Sequence, residues 1–310
     1  MIHYLKHTEI DKAKWDLCIG QSVNSMIYAY SWYLDEASTD WDALVLDNYA
    51  AVMPLTQKRK WGIKYLYQPF FTQQLGVFSI DEIANDLLKE FITSIPRKYR
   101  YIDIQLNEQN NLLDEKIKPH PRKNYLLDIR KSHDKVLRNM PESTKRNIKK
   151  ANKHELQIHN FSYSDAIAFY QNHKGGETKG IKQKDYDRLK SIFKVCHEKN
   201  RVYTRAVYSK NNELLACGVF LINKNRIVFS IGTANVLGRE LRAMYMLMDT
   251  IIFQYAGYNY FIDFEGSEIP GVEKFYKNLG AELVHYYRYK KNRLSIFMKF
   301  VKTMYNFFMK

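Results

Sequence analysis

Hydrophobic and polar residues alternate along the chain with two periods, one typical of helices and one typical of strands. In the first half, Ile10, Ala13 and Leu17 recur at helical spacing on one side of a predicted helix that Thr8 opens. Strands and a second helix follow, and Pro96 ends that helix. After the first helix, the predicted elements are strands at 43–46, 50–56 and 64–70, a helix at 81–95 and a strand at 99–106.

The second half of the chain predicts the same elements in the same order. They are a helix at 185–200, strands at 202–209, 214–222 and 226–234, a helix at 239–256 and a strand at 259–265. The spacing also agrees, since Ala43 precedes Asp103 by 60 residues and Thr204 precedes Asp263 by 59 residues. We therefore predict an α/β fold with mixed sheets, built from two copies of one unit.

The length of 310 residues also favours two domains, because a single hydrophobic core rarely grows so large. We predict an N-terminal domain at 1–130, a basic linking helix at 131–156 and a C-terminal domain at 157–290. Residues 291–310 carry apolar side chains at helical spacing among lysines, which predicts a basic amphipathic helix. This helix either contacts an anionic membrane surface or packs on the protein.

The composition limits the class of protein. Hydrophobic residues make up 45% of the chain, which argues against a disordered protein. No apolar run reaches the roughly 20 residues that span a bilayer. The start of the chain lacks the pattern of a signal peptide, and Cys18, Cys196 and Cys217 are too widely spaced to form a C-x-x-C pair. We therefore expect a protein of the reducing cytoplasm without a metal site.

The formal net charge of the chain is +15, and two segments carry it. Residues 116–153 hold thirteen Lys and Arg against three Asp and Glu, and residues 290–310 hold six basic residues and no acidic one. Local basic patches favour anionic partners. The phosphates of coenzyme A, a nucleotide-linked sugar, tRNA or an anionic lipid all fit this charge, and a solvated basic face without a ligand is the alternative.

Residues 257–280 combine the features of an acyl-transfer site. A predicted buried strand, Tyr260 to Phe264, leads through a glycine-containing loop into a short helix that carries Tyr276. An amine that attacks a thioester or ester carbonyl needs its leaving group protonated, and a phenol with a pKa of about 10 is a competent acid for a thiolate. Tyr276 is therefore the candidate general acid. The alternative is a surface tyrosine on a helix whose Phe275 faces the core.

The order of these motifs resembles one known family. A basic segment, STKRNIKKANKHELQI, lies between the two predicted units, and the helix of Tyr276 reads G-V-x-x-F-x-x-x-L-G-A. Together with the tandem repeat, they resemble the FemA/FemB/FemX peptidoglycan-bridge family of the Gcn5-related N-acyltransferase (GNAT) superfamily, over Ile27 to Tyr289. The resemblance implies tandem GNAT-like domains, a cleft between them and transfer of an acyl or aminoacyl group to an amine.

The resemblance also implies a donor, which is acyl-CoA or aminoacyl-tRNA. The tRNA-dependent members carry Phe-Lys in the terminal helix, whereas this chain has Phe275-Tyr276, which fits the coenzyme-A-dependent members. Those members usually hold pyrophosphate on the free N–H groups of a Q/R-x-x-G-x-G/A loop, and this chain offers N-V-L-G-R-E. The alternative for this loop is a helix start capped by Glu240. The candidate donor-binding residues are Thr233, Leu237, Gly238 and Arg239.

Two carboxylates at the end of the strand at 259–265 are candidates for the general base. Glu265 and Glu268 lie where the backbone is expected to open toward the cleft, and either can take a proton from an ammonium group directly or through water. We favour Glu265. A loop carboxylate that forms an ion pair with one of the many lysines is the alternative.

The acceptor is expected to be a small molecule or a cell-wall precursor with anionic groups. Lys145 and Lys149 form a like-charge i,i+4 pair on one helix, which costs stability unless the charges are solvated or an anion neutralises them. The loop at 67–74 is rich in amides and aromatic rings, as a sugar- or peptide-binding loop is, or it packs on the core. The candidate acceptor-binding residues are Gln68, Gln73, Lys145, Arg146, Lys149 and Arg242.

Three classes of function follow. We favour an N-acyltransferase that uses acyl-CoA and acts on an amine of a cell-envelope, amino-sugar or peptide acceptor. A peptidoglycan-type transferase that uses aminoacyl-tRNA is the alternative within the same class. A nucleic-acid-binding module would also use the charge of +15. The third class is a scaffold that keeps the fold without catalysis.

Overall fold

The computed structural model describes residues 1–111, 119–174, 181–266, 269–295 and 298. These residues form two compact units, one from residues 1–122 together with the chain from 286 onward and one from residues 123–285. We call them the N-terminal unit and the C-terminal unit.

The secondary structure follows the two predicted repeats. The first is β1 (Ile2–Leu5), α1 (Lys12–Gln21), α2 (Ser31–Ala37), β2 (Trp41–Leu46), β3 (Ala51–Lys60), β4 (Ile63–Tyr67), β5 (Phe78–Ser79), α3 (Asn85–Ser94) and β6 (Tyr99–Leu106). The second begins with β7 (His120–Asp128), α4 (His133–Arg138), α5 (Glu142–Asn152), β8 (Gln157–Asn160), α6 (Tyr163–Lys174) and α7 (Gln183–Glu198). It continues with β9 (Val202–Tyr208), β10 (Leu214–Asn223), β11 (Arg226–Ala234), α8 (Val236–Glu240), α9 (Ala243–Tyr255), β12 (Phe261–Asp263), α10 (Pro270–Asn278) and β13 (Glu282–Asn292).

The strands of each unit follow the same order. In the N-terminal unit the order is β1-β2-β3-β4-β6-β13, and in the C-terminal unit it is β8-β9-β10-β11-β12-β7. The fourth and fifth strands run parallel in both units, namely β4 with β6 and β11 with β12. Their neighbours pair antiparallel. This arrangement confirms the predicted α/β fold with mixed sheets in two copies.

The main core of the C-terminal unit lies between its sheet and four helices. These helices contribute Val136 from α4, Ile148 from α5, Met248, Ile251 and Ile252 from α9, and Tyr276 from α10, while Met140 and Leu279 follow shortly after α4 and α10. The sheet contributes Phe220, Ile227, Phe229 and Ile262. Burial of this apolar surface stabilises the unit and holds α10 against the sheet. The position of Tyr276 is therefore fixed by the core and not by a loop.

The predicted apolar side of the first helix was wrong. Leu17 is 59% exposed and Ala13 is also exposed, whereas Trp15 and Ile19 are fully buried. The helix begins one residue after Asp11, whose carboxylate accepts hydrogen bonds from the first-turn N–H groups as an N-cap. The indole N–H of Trp15 donates to a backbone carbonyl in the interior at 2.8 Å. The face of the helix that carries Trp15 and Ile19 therefore points inward, and the face predicted to be buried points to solvent.

The predicted helix at 239–256 is two helices in the structure. Arg242 adopts a left-handed conformation with φ of 65° between α8 and α9, and this ends the first helix. α8 is held close to the sheet at Gly238, where a Cβ atom would lie 2.2 Å from the carbonyl oxygen of Leu215. Two predicted strands are also shorter than expected, since β4 ends at Tyr67 and β12 ends at Asp263.

Candidate active site

A cleft opens in the C-terminal unit where two parallel strands part. β11 pairs with β12 over residues 226–228 and 261–263, and β11 then continues along β10 to Ala234. Phe229, Thr233 and Ala234 on β11 line the cleft that results. Its volume is about 520 Å³, within the range of roughly 300–1,000 Å³ that is typical of small-molecule sites.

Tyr276 lies on the wall of this cleft. It is 8% exposed, so it is more buried than the sequence suggested. Its ring stacks on Phe264 with centroids 4.5 Å apart, and its helix neighbours Val272 and Phe275 line the same wall. α10 begins with Pro270, which is compatible with the first turn because a proline there loses no helical hydrogen bond. The phenol is thereby held by packing on both the strand side and the helix side.

The surroundings of Tyr276 keep its phenol protonated. Burial raises the pKa of Tyr276 above its ordinary value, and the negative charge of Glu265 raises the pKa further. A protonated phenol can donate a hydrogen bond or a proton to an atom that becomes negative. The structure therefore places a neutral O–H donor on the wall of the cleft, with the carboxylate of Glu265 close enough to act on its pKa.

Glu265 lies in a tight turn directly after β12. Its φ is 56° and that of Gly266 is 59°, so two consecutive residues adopt left-handed backbone conformations. A Cβ at Gly266 would lie 2.0 Å from the carbonyl oxygen of Lys123, so only glycine fits there. A non-glycine residue in this conformation is uncommon and is enriched at functional sites. Glu265 is half-buried and near Tyr276, although it does not line the cleft itself.

Asp263 stabilises the turn that contains Glu265. Its side chain is 1% exposed, and one carboxylate oxygen accepts the backbone N–H of Glu265 at 2.9 Å. The other oxygen forms an ion pair with Nη1 of Arg226 at 2.7 Å. A buried carboxylate needs such partners, because desolvation of an unpaired charge is costly. Asp263 is therefore a buried group that orients the turn.

Two backbone donors of the expected phosphate loop at α8, the N–H groups of Gly238 and Arg239, are already engaged. The side chain of Asn235 accepts the N–H of Gly238 at 2.6 Å, and the carbonyl of Asn235 accepts the N–H of Arg239 at 3.1 Å. Asn235, and not Glu240, is thus the N-cap of this helix. Leu237 lies in the same short helix, and its carbonyl accepts the N–H of Leu241. The loop therefore differs from one that holds pyrophosphate on free N–H groups.

Cationic side chains line the cleft instead. Arg239, Arg242 and Lys174 contribute to its lining, together with His173. Nη1 of Arg242 donates to the carbonyl of Arg239 at 2.9 Å, while its Nε is buried and has no hydrogen-bond partner among the described residues. A buried N–H without a partner in the protein is rare, and a water molecule or a ligand in the cleft can supply the missing acceptor. These cations suit the phosphates of a donor such as acyl-CoA, so the residues fit such a molecule through side chains.

The structure brings most donor-site candidates together, and it places Arg242, an acceptor candidate from the sequence, in the same cleft, away from the other acceptor-site candidates. Thr233, Gly238, Arg239, Arg242 and Tyr276 line one cleft. Other candidates lie elsewhere in the same unit: Lys145 and Lys149 line a groove beside α4 and α5, and Arg146 is exposed on α5.

Two further acceptor candidates lie in the N-terminal unit and stabilise their own loop. Gln68 donates to the carbonyl of Thr72 at 2.7 Å, and its amide oxygen accepts the N–H of Gln105 at 2.9 Å. The side-chain oxygen of Gln73 accepts a hydrogen bond from Gln74. Gln68 also lines a cleft of about 460 Å³ in this unit. The candidate base Glu268 lies outside the described residues, as does most of 291–310.

The sequence missed a cluster that fixes the start of α10. The carboxylate of Glu273 accepts a hydrogen bond from the phenol of Tyr125 at 2.7 Å and forms ion pairs with Lys277 and Lys123 at 2.7 and 3.1 Å. Hydrogen bonds from Lys277, Tyr125 and Lys123 lower the pKa of Glu273 to about 2. This cluster joins α10, one turn before Tyr276, to β7.

Glu273→Gln is expected to remove a pH-dependent part of the stability. A carboxylate whose pKa is lowered by folding contributes stability above its unfolded pKa and loses this contribution as the pH falls through the folded pKa. The wild-type advantage in melting temperature should therefore be largest near neutral pH and shrink between about pH 4.3 and about pH 2. Glu282→Gln, at an exposed position on β13, is the control and should show a smaller difference at every pH. A pH-independent difference for Glu273→Gln would contradict this account.

Two other features bear on the class of protein. Across the described ranges, none of the helices is both long and apolar enough to span a bilayer. Within the same residues, His, Cys, Asp and Glu side chains form no group of three suited to bind a metal ion.

Comparisons with known proteins define the fold. No protein-family model and no curated protein matches the sequence. By structure, the chain is similar to FemX, with a TM-score of 0.69 and 14% identity over 94% of this chain and 98% of that chain. It is also similar to the C-terminal domain of a putative lysylphosphatidylglycerol synthetase from Agrobacterium fabrum, with a TM-score of 0.56 and 8% identity over 92% and 93% of the two chains.

A third solved structure has the same architecture. The chain is similar to a tandem GNAT protein from the clavulanic acid biosynthesis pathway, with a TM-score of 0.53 and 7% identity over 95% of this chain and 99% of that chain. At such identities these likenesses establish the fold and no more. The protein has the tandem GNAT-like fold of FemX, which confirms the fold that the resemblance implied.

Proposed function

We propose that the protein is an acyltransferase that moves an acyl group from an activated donor to an amine, with the donor bound in the cleft lined by β11, α8 and α10. The observation that carries this proposal is the position of Tyr276. Its protonated phenol lies on the wall of a ligand-sized cleft, and the same cleft is lined by Arg239 and Arg242. An acid and two cations in the lining of one cleft suit a donor with a reactive acyl group and a phosphate-bearing carrier.

The reaction needs two proton movements. The amine nitrogen forms a bond to the acyl carbonyl carbon, and the bond from that carbon to the sulfur or oxygen of the carrier breaks. Tyr276 supplies the proton that the leaving sulfur or oxygen takes up, and Glu265 takes the proton that the amine loses, directly or through water. The phenol of Tyr276 is protonated at neutral pH even at its ordinary pKa of about 10, and burial raises that pKa further.

Acyl-CoA is the donor that we favour. A phenol is a suitable acid for a thiolate leaving group, and the cations of the cleft can bind the phosphates of coenzyme A. The acceptor would be an amine of a cell-envelope precursor, an amino-sugar or a peptide. Acceptors with anionic groups fit the basic charge of the chain.

A second donor, aminoacyl-tRNA, is supported by a different observation. The N–H groups of Gly238 and Arg239 are engaged by Asn235, so α8 does not offer the backbone donors that commonly hold pyrophosphate. A donor whose phosphates contact side chains alone has less need of such a loop. The resemblance of the sequence motifs to the FemA/FemB/FemX family, which implies aminoacyl-tRNA as one of two donors, makes this donor the second candidate.

The melting temperature with and without ligand tests the proposal. Coenzyme A, acetyl-CoA and longer acyl-CoAs are added at saturating concentration, where a ligand at 100 times its Kd stabilises by about 2.7 kcal/mol. We expect a clear increase that the Arg239→Met/Arg242→Met variant loses. The control is Lys190→Met/Lys194→Met on α7, which removes the same charge from exposed positions and should keep the increase.

Two other results of this melting experiment would also distinguish the donors or contradict the proposal. If an aminoacyl-tRNA analogue raised the melting temperature and no acyl-CoA did, the second donor would be assigned. No increase with either class of ligand in a folded protein would contradict the proposal.

A further inference from the structure

The helices α4 and α5 present a strongly basic face on the C-terminal unit. Residues 130–153 hold nine Lys and Arg against Asp134 and Glu142. The apolar side chains of these two helices, such as Val136 and Ile148, are buried in the core, so the charged side chains point outward. We call this surface the α4–α5 face.

Two adjacent grooves run along the α4–α5 face. One, of about 340 Å³, has the aliphatic side chains of Leu137 and Ile148 in its lining and is flanked by Arg138, Lys145 and Lys149. The other, of about 390 Å³, is lined by Lys131, Lys135, Arg138 and Asn139. Arg138 belongs to both grooves, so the cations form one continuous strip across both helices.

Few acidic groups neutralise this strip. Within the described chain, the ion pairs on residues 130–153 are those of Lys145 with Glu142 at 2.9 Å and of Arg130 with Asp128 at 2.8 Å, together with the contact of His133 to Asp249. Lys145 and Lys149 stand one helical turn apart, where like charges destabilise a helix. A bound polyanion would relieve this repulsion.

Two aromatic rings project from the surface beside α4. Phe253 on α9 is 70% exposed and packs edge-on against His133, with ring centroids 5.3 Å apart. Tyr258 is 65% exposed and follows Gly257, whose N–H donates to the carbonyl of Lys131 at 3.0 Å. Large exposed aromatic rings beside cations are typical of segments that enter the interface of an anionic bilayer.

We propose that the α4–α5 face docks on a membrane surface that contains anionic phospholipid. The strip of cations contacts the phosphate headgroups, the aliphatic floor near Leu137 and Ile148 accommodates the glycerol and upper acyl region, and Phe253 enters the interface. An RNA would instead use ring faces as stacking platforms inside the groove, and the groove offers aliphatic side chains there. This docking is independent of the proposed acyl transfer.

Vesicle sedimentation of the full chain tests the proposal. We expect binding to vesicles of phosphatidylcholine with phosphatidylglycerol, little binding to phosphatidylcholine alone, and release by salt. The Arg138→Glu/Lys149→Glu variant should bind at least about 25-fold more weakly, since each surface cation contributes about fivefold in affinity. Phe253→Ala should weaken binding several-fold without a change of charge. Circular dichroism checks that each variant is folded.

One control variant and three outcomes that would overturn the proposal complete this test. Lys190→Glu/Lys194→Glu on α7 makes the same change of charge at exposed positions of the same unit and should keep the binding. Equal loss in this control would show that net charge alone is responsible and would overturn the proposal. Unchanged binding of the Arg138/Lys149 variant would move the contact elsewhere, for example to residues 291–310, and would also overturn it. Tighter binding to a single-stranded RNA than to the anionic vesicles would do the same.

Discussion

Tyr276→Phe is expected to lower the turnover number by about 10²–10⁴-fold, the usual contribution of a general acid, with little change in KM. The substitution removes the phenolic oxygen and keeps the ring that stacks on Phe264, so the cleft and its cations stay in place. The leaving group would then have to depart without a proton from the protein. Steady-state kinetics and the melting temperature, measured on the same preparation, separate this effect from misfolding.

Tyr255→Phe is the matched control for this variant. Tyr255 is a partly buried tyrosine that packs against the same core cluster, but it does not line the cleft. Its turnover should equal that of the wild type. Full turnover by Tyr276→Phe would contradict the assigned role. Loss of turnover with the fold retained would exclude the third class of function, a scaffold without catalysis.

Arg226→Met is expected to have the largest effect on stability, a loss of about 3–5 kcal/mol in the free energy of unfolding. The variant leaves the carboxylate of Asp263 buried, at 1% exposure, without its cation. It also loosens the turn of Glu265, because Asp263 accepts the N–H of that residue. Urea unfolding, followed by circular dichroism, measures the change.

The N-terminal unit supplies a control for this prediction. Arg288 pairs with Asp103 through two hydrogen bonds at 2.5 and 2.7 Å, but the two side chains are 36% and 21% exposed. Because solvent screens such a pair, Arg288→Met should cost about 1 kcal/mol or less. An equal or smaller loss for Arg226→Met would show that burial of Asp263 does not govern the stability of the turn.

Much of the fold could be predicted because each unit alternates clear strand and helix patterns. β6 and β11 have the predicted bounds, since their alternating residues leave little doubt about period or length. The break at Arg242 could not be predicted, because neither glycine nor proline marks it. The break follows a close approach of Gly238 to Leu215, which is a contact between α8 and a strand that is more than twenty residues away.

Residues of the candidate site could be predicted where the chemistry of a side chain agrees with its place in the order of strands and helices. Tyr276 and Arg239 follow strands that run parallel, so a correct order of elements brings them to one cleft. The N-cap Asn235 carried a local signal, an asparagine directly before a helix, that sequence reasoning missed. The contact of Tyr125 with Glu273 joins residues that are 148 positions apart, and no local pattern reveals such a pair.

The central claim is that the C-terminal unit holds the donor, and photochemical crosslinking tests it most directly. A diazirine analogue of acyl-CoA would be bound, irradiated and mapped by mass spectrometry, with excess coenzyme A as competitor. The account predicts labels that coenzyme A suppresses on residues of the cleft, within 229–245 and 271–276. Labels confined to residues before Arg130 would contradict it.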